Sequence, residues 1–207
     1  MNPSICRIRI GLVVLLTVCC CLACAGRTYL MVDYAVPPAT DALKGQTVRI
    51  AMVDDRGKTA VLTPQAADRF TDFADRYSLA WVMPDKEKVL AGEHDLLTAM
   101  AEAFKKRLTQ MGAIVSLRSH PDIPVLTVSL TRMTVDLQER KWIVDLSYEA
   151  VLGKASGAQV KETVRGNAER VRVIGRKGAD MVLSDIFSDA TNRLDLVKMF
   201  KQAQLLP

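Results

Sequence analysis

Beyond Cys24 the sequence has no cysteine, because all five of its cysteines lie in the first 24 residues. The part that follows can form no internal disulfide, so burial of apolar surface has to stabilise its fold.

The net charge of the chain is also small. Without residues 1–23, 184 residues with a net charge of +3 remain, since the removed segment holds two of the 28 basic residues and none of the 23 acidic ones. This balance does not supply the clustered basic surface that binds nucleic acid, and we expect no nucleic-acid partner.

Familiar catalytic and metal-binding patterns are absent as well. The sequence contains no G-x-S-x-G, P-loop or H-E-x-x-H pattern. Its two histidines, His94 and His120, lie 26 residues apart, and they do not provide the three or four ligands of a metal centre. Asp54 and Asp55 form an adjacent acidic pair, but neighbouring strand residues point to opposite faces, which favours a polar turn over a carboxylate dyad. We therefore predict no catalytic residue, no metal and no cofactor, and a protein that is not an enzyme.

The N-terminal segment has the composition of an export signal. A short basic front at Arg7 and Arg9 precedes an uncharged apolar run over 10–21, and the small residue Ala23 follows. A cysteine directly after that alanine resembles the lipoprotein signals of bacteria. In that class the cysteine thiol receives a diacylglycerol and becomes the first residue of the mature protein. The resemblance implies lipid attachment at Cys24 and a membrane partner through this lipid.

Two alternatives remain open for the same segment. The letters Ala23-Cys24-Ala25 also fit the A-x-A pattern of ordinary signal peptidase, and cleavage before Gly26 would release a soluble periplasmic protein. An uncleaved anchor is the third alternative, although the apolar run is shorter than the roughly 20 residues of a spanning helix. Lipidation is preferred because the cysteine has no other evident use. By resemblance to enterobacterial sorting rules, Ala25 after the cysteine favours the outer membrane, with the domain facing the periplasm.

The chain is predicted to have three parts. Residues 1–23 are the lipoprotein signal peptide. Residues 24–46 are predicted to be a flexible tether, because they contain Pro37 and Pro38 and few periodic apolar residues. About twenty extended residues can span some 60 Å, so the domain would not need to touch the membrane. Residues 47–203 are predicted to be a single domain.

Apolar periodicity predicts an α+β fold for that domain. Its main elements are a strand over 47–53, a helix over 93–111 ended by Gly112, a strand over 113–117, three long strands from residue 125 onwards and a helix over 177–201. A change of phase near Thr131-Arg132 predicts a β-bulge. Without the short strand at 113–117, the order β-α-β-β-β-α predicts a mostly antiparallel sheet with two main helices packed on one face, and the other face open to a partner.

Two regions give weaker patterns. Between residues 59 and 90 we expect short strands at 60–62 and 79–83, and one or two helical turns that bring Phe70, Phe73 and Tyr77 together. The basic residues 105–107 are expected on a solvated face, with anionic lipid head groups as the alternative contact.

The part of the chain from residue 125 onwards resembles the YajG-type lipoproteins of Gram-negative bacteria. The residues that carry this likeness are the run at 125–136, the strand at 142–152, Arg165-Gly166-Asn167 and the final helix at 180–202. The resemblance implies an envelope location and this fold. Small α+β auxiliary lipoproteins such as LptE are a more distant likeness of fold.

Together these patterns predict a lipid-anchored envelope protein that binds a protein or lipid partner. An auxiliary role in envelope assembly or transport follows from the resemblance. The alternatives are a secreted periplasmic hydrolase without a recognisable motif and a lipid carrier with an apolar cavity.

Overall fold

The computed structural model of the protein describes residues 28–70, 72–154, 157–171 and 177–206. Its elements in chain order are β1 (Tyr29–Ala35), β2 (Thr47–Asp54), α1 (Pro64–Ala67), β3 (Arg76–Val82), β4 (Lys88–His94), α2 (Leu96–Gln110), β5 (Ile114–Val115), β6 (Val125–Gln138), β7 (Lys141–Gly153), β8 (Gln159–Val171), α3 (Lys177–Arg193) and α4 (Leu196–Gln202). Of the helices in these ranges, none combines the length and the hydropathy that crossing a membrane requires.

The strands form two sheets. The larger sheet has the order β5-β2-β6-β7-β8, and the smaller has the order β1-β3-β4. The pairs β6–β7 and β7–β8 are long antiparallel ladders, while β2 joins β5 and β6 in parallel. The predicted α+β class is confirmed. The parallel position of β2 and the separate small sheet are features that the periodicity did not predict.

The central hairpin follows the predicted alternation. Six even-numbered residues of β7 are at most 1% exposed, namely Trp142, Val144, Leu146, Tyr148, Ala150 and Leu152. The register of β6 against β7 shifts between Leu130 and Arg132, so the predicted bulge is confirmed. Because the extra residue changes the phase of β6, Met133 and Val135 are buried on the same face as Leu130.

Helix α2 begins and ends close to the predicted residues. The side chain of Asp95 caps its first turn by accepting a hydrogen bond of 2.9 Å from the Thr98 backbone N–H. Gly112 follows the helix with a φ of +84°, and a Cβ there would lie 3.2 Å from the Cα of Lys44. Both the left-handed backbone and the close approach require glycine. The predicted start at residue 93 is too early, because His94 is the last residue of β4.

The predicted C-terminal helix is two helices. Helix α3 ends at Arg193, and Asp195 starts α4 by accepting a 2.9 Å hydrogen bond from the Lys198 backbone N–H. Helix α3 packs closely on the buried face of β7 and β8. A Cβ on Gly166 would lie 2.5 Å from the Cδ1 atom of Ile186, and one on Gly178 would lie 2.7 Å from Cδ1 of Trp142. Glycine therefore permits this helix–sheet contact.

The prediction of a flexible tether over 24–46 is wrong for the described residues 28–46. Leu30, Val32 and Tyr34 of β1 are fully buried, and β1 pairs in parallel with β3 along its seven residues. Leu43 is also fully buried, and its backbone N–H donates to the carbonyl of Met111 at 2.8 Å. The alternation of apolar residues in β1 already had the strand period, and the prolines that suggested a tether lie after this strand.

The outer edge of β1 is covered by polar side chains of α3. The backbone N–H groups of Met31, Asp33 and Ala35 donate to a row of side chains spaced four residues apart. This row, which we call the polar ladder, consists of Asp180, Ser184, Ser188 and Asn192. Four helical residues rise about 6 Å and two strand residues about 6.7 Å, so the two repeats match. Asn192 also donates to the carbonyl of Ala35 at 2.9 Å, which leaves this strand edge closed to further pairing.

The middle of the chain packs aromatic rings against the start of β7. Phe70 contacts Trp142 with ring centroids 5.7 Å apart, and Phe73 contacts Tyr77 at 5.9 Å. The three aromatic residues are close together as expected, but the predicted helical turns are wrong for Tyr77, which lies in β3. The expected strand at 79–83 is confirmed over residues 79–82, which form the second half of β3. At the expected strand 60–62, Leu62 forms a parallel bridge with Val135.

Candidate binding surface

One face of the large sheet carries polar side chains, and no described helix buries them. We call it the open face. Its residues are half-buried or exposed, and they are Thr127, Ser129 and Thr134 of β6, Asp145, Ser147 and Glu149 of β7, and Lys161, Thr163, Arg165 and Asn167 of β8. The face exists because burial alternates along β7, and along β6 on either side of the bulge, so that one set of side chains packs in the core and the other, mostly polar, faces outwards.

Asp145 organises the middle of the open face. Its Oδ1 atom accepts a hydrogen bond from Nδ2 of Asn167 at 2.6 Å, and its Oδ2 accepts one from Oγ1 of Thr134 at 3.3 Å. Arg132 reaches the same Oδ2 with Nη2 at 3.4 Å. The bulge brings Arg132 to this side of the sheet, because it shifts the phase of β6 by one residue. These contacts hold donors and acceptors from three strands in a fixed arrangement.

Ion pairs make the charge of the open face nearly balanced. Lys161 and Glu149 are paired at 2.6 Å, and Lys141 and Glu169 at 2.8 Å. Hydrogen bonding to Glu169 raises the pKa of Lys141. Such exposed pairs contribute little to stability, so their side chains remain available to exchange partners. The surface therefore suits a polar partner with complementary hydrogen bonds.

Aliphatic side chains are a minor part of this face. Val53, at the β2 side, is 44% exposed. In the described part of the face Ile143 and Val151 are half-buried. A lipid carrier would need a broad aliphatic surface, and the polar composition favours a protein partner instead.

The free edge of the large sheet is partly occupied. Strand β8 forms this edge, and Nη1 of Arg193 donates to the outward carbonyl of Arg165 at 2.9 Å. Lys198 pairs with Glu162 at 2.6 Å beside it. An added strand would have to displace the Arg193 contact, and charged side chains on an edge discourage pairing. The open face is thus a better candidate for binding than this edge.

The predicted lipid-attachment residue, Cys24, lies outside the described residues. The two histidines have separate local contacts. Nε2 of His94 lies 3.3 Å from the carbonyl oxygen of Ala91, and Nδ1 of His120 lies 3.5 Å from a carboxylate oxygen of Asp122 in an exposed turn. Within the described ranges, no group of three or more His, Cys, Asp or Glu side chains is placed to hold a metal ion.

The two carboxylates of the acidic pair at the end of β2 have different surroundings. Arg56 donates from Nε and Nη2 to the two carboxylate oxygens of Asp54, each at 2.8 Å. This hydrogen bonding lowers the pKa of Asp54. Asp55 instead donates its backbone N–H to the carbonyl of Leu130 at 2.9 Å. The arrangement is that of an ion-paired turn.

Arg107 is buried, although the basic run 105–107 predicts a solvated face. It is 8% exposed, and its guanidinium donates to the carbonyl oxygens of Thr191 at 2.5 Å and Leu194 at 2.6 Å. A cation at the C-terminal end of α3 satisfies carbonyl groups that the helix leaves unpaired. Burial lowers the pKa of Arg107, but a guanidinium stays charged in proteins. The residue has a structural role. It lies three residues after Phe104 and seven after Met100, so the helical spacing places it on the buried side of α2.

Comparison with known proteins supports the fold. No family model and no curated protein sequence matches this chain. Its structure is similar to the crystal structure of a Xanthomonas campestris protein assigned to family model DUF330, with a TM-score of 0.52 and 12% identity. The match covers 86% of this chain and 98% of that protein. At this identity the likeness shows a shared fold alone.

A second solved structure is more distant. The rare lipoprotein B from Shewanella oneidensis matches with a TM-score of 0.40 and 9% identity, over 76% of this chain and 98% of that one. This score is too low to support an inference about the present chain.

Proposed function

We propose that the protein is a cell-envelope lipoprotein, anchored through Cys24, that acts by binding a protein partner with its open face. The observation that carries the binding role is the ordered polar surface around Asp145. Its side chains come from three strands, and its donors and acceptors are held in place by mutual hydrogen bonds. Such preorganisation lowers the cost of ordering side chains when a partner binds.

The anchor rests on the sequence before the fold. A basic front, an uncharged run and Ala23 precede Cys24, in the order of a lipoprotein signal. The first strand then begins at Tyr29. A lipidated cysteine would therefore be followed almost at once by the folded domain. Two or more acyl chains bind a bilayer firmly enough for stable attachment.

The same proposal includes the protein family, the membrane location and the cellular role. Membership of the YajG-type lipoproteins, an outer-membrane location facing the periplasm, and an auxiliary role in envelope assembly or transport are supported by the sequence resemblance. The role is non-enzymatic. A periplasmic hydrolase is a weaker candidate, because His94, His120 and Asp54 each contact a different neighbour and do not come together around one nucleophile.

Intact-mass analysis tests the anchor. The protein extracted from membranes should begin at Cys24 and carry acyl chains, and Cys24→Ser should leave the precursor unprocessed or release the domain. A mature chain that begins at Gly26 would refute the lipid anchor.

Copurification tests the binding surface. Tagged protein is isolated from solubilised envelope membranes, and the companions of the unmodified chain are compared with those of two variants. Ser147→Arg places a large cation in the middle of the open face, and Lys105→Glu changes an exposed charge on α2. We expect a specific companion to be lost with Ser147→Arg and retained with Lys105→Glu, because an unpaired charge buried in an interface is costly. Retention with both variants would refute binding through this face.

A further inference from the structure

The start of the fold lies very close to the proposed lipid. Three residues separate Cys24 from Thr28, the first described residue. A chain of this length spans at most about 14 Å between the two Cα atoms. The end of the domain that carries Thr28 therefore cannot move far from a bilayer that holds the lipid.

The contacts of Thr28 and β1 show which other residues lie at the same end of the domain. The carbonyl of Thr28 accepts a hydrogen bond from the Ala74 N–H at 3.3 Å, and Tyr29 is the register partner of Arg76. Next to β1, the backbone of Met31 binds the side chain of Asp180 near the start of α3.

The start of α3 in turn connects this end to the β6–β7 turn. Gly178 touches Trp142, the second residue of β7. The first residue, Lys141, pairs with Val171 at the end of β8. We call the surface formed by Thr28, Arg76, the β6–β7 turn (residues 138–141) and Val171 the near end.

The far end lies at the other termini of the same strands. Strand β6 starts there at Val125 and runs 14 residues to the β6–β7 turn, a length of roughly 40 Å. Strand β5 pairs with the first residues of β2. Leu117, just after β5, is 94% exposed and belongs to this far end.

The side chains of the near end are compatible with a lipid surface. Arg76 and Arg140 are exposed, and neither forms an ion pair with another described residue. Val171 is 60% exposed. Glu139 and Asp75 lie nearby in sequence and reduce the net positive charge. An exposed basic residue near an anionic bilayer adds only a weak attraction, so the short link to the lipid has to supply most of the attachment.

From this geometry we propose that the near end faces the bilayer and that the strands of the large sheet project away from it. The proposal rests on lipid attachment at Cys24. The link keeps the near end at a high effective concentration beside the membrane. The open face then stands roughly perpendicular to the membrane plane, accessible from the side. Its partner is a protein whose periplasmic part lies within roughly 40 Å of the same bilayer, the length of β6.

Fluorescence quenching in vesicles tests this orientation. The mature chain has no cysteine besides Cys24, whose sulfur is blocked by the lipid, so an introduced cysteine is labelled uniquely. Arg140→Cys reports on the near end and Leu117→Cys on the far end. Each lipidated, bimane-labelled protein is reconstituted in phosphatidylethanolamine and phosphatidylglycerol vesicles that contain a lipid with a nitroxide on its headgroup. We expect the label at position 140 to lose most of its fluorescence and the label at 117 to retain it.

Two controls distinguish a failure of the lipid anchor from a failure of the proposed orientation. Flotation with the vesicles checks the anchor itself, and failure to float refutes the proposed lipid attachment. If the protein floats but both labels are quenched equally, or the label at 117 is quenched more, the orientation is refuted while the anchor stands. A Gly/Ser insertion of about 20 residues after Gly26 has a mean span of roughly 25 Å. It should relieve the quenching at position 140, and unchanged quenching would refute the short link as its cause.

Discussion

Ser188→Ala should destabilise the domain by removing two contacts between α3 and β1. The Oγ atom of Ser188 accepts a hydrogen bond from the Ala35 N–H at 2.9 Å and lies 3.1 Å from the carbonyl oxygen of Asp33, to which it donates. Two hydrogen bonds contribute about 2 kcal/mol in total. Alanine recovers about 0.5 kcal/mol of this through its better helix propensity. The expected net loss in the free energy of unfolding is thus about 1.5 kcal/mol.

Thermal and urea unfolding of the chain lacking residues 1–26 measures this loss. For a domain of this size, about 1.5 kcal/mol corresponds to a decrease in Tm of roughly 3–6 °C. The matched control is Ser147→Ala, on the open face, where the side chain makes no hydrogen bond to another described residue; its effect should stay within about 0.5 kcal/mol. Equal stability of the two variants would contradict the role of the polar ladder in holding β1.

Three further experiments test the packing. A chain that begins at Gln46 lacks β1 and should show no cooperative melting by circular dichroism; an unchanged melting transition would contradict the place of β1 in the core. Leu146→Asp puts a charge at a position that is 1% exposed and should lower the free energy of unfolding by about 3 kcal/mol or more. Ile143→Thr, on the opposite face of the strand, should lower it little. Equal losses in urea unfolding would mean that both faces of the sheet are covered. Arg107→Met leaves two helix-end carbonyls without their donor and should cost about 2 kcal/mol; the exposed Lys105→Met serves as its control, and equal stability of the two would refute the capping role.

The spacing of apolar residues predicted the elements that have one buried face and one exposed face. Strand β7 alternates without interruption, so its buried face and its length could be predicted from the sequence. The bulge was also predictable, because an inserted residue changes the apolar phase at Thr131-Arg132. Helix α2 had both an apolar stripe and a glycine at its end.

Contacts between distant parts of the chain could not be predicted in this way. Strand β1 was assigned to the tether because Pro37 and Pro38 follow it, although Leu30, Val32 and Tyr34 alternate. The polar ladder joins residues about 150 positions apart, and Ser184 or Ser188 in isolation looks like an ordinary solvated helix residue. Strand β4 is short and contains Gly92, which weakens its strand signal.

The same distinction applies to the candidate site. Lipid attachment at Cys24 comes from a local pattern and was predicted from sequence, and the open face followed from the alternation in β6 and β7. The arrangement around Asp145 depends on the register of three strands, which the sequence pattern does not specify.

Site-specific photo-crosslinking in living cells tests the open face most directly. A photoreactive amino acid replaces Ser147 on the open face in one protein and Lys105 on the exposed side of α2 in another. We expect a discrete crosslinked product of defined mass from position 147 and no such product from position 105. No product at 147, or the same product from both positions, would contradict binding through the open face.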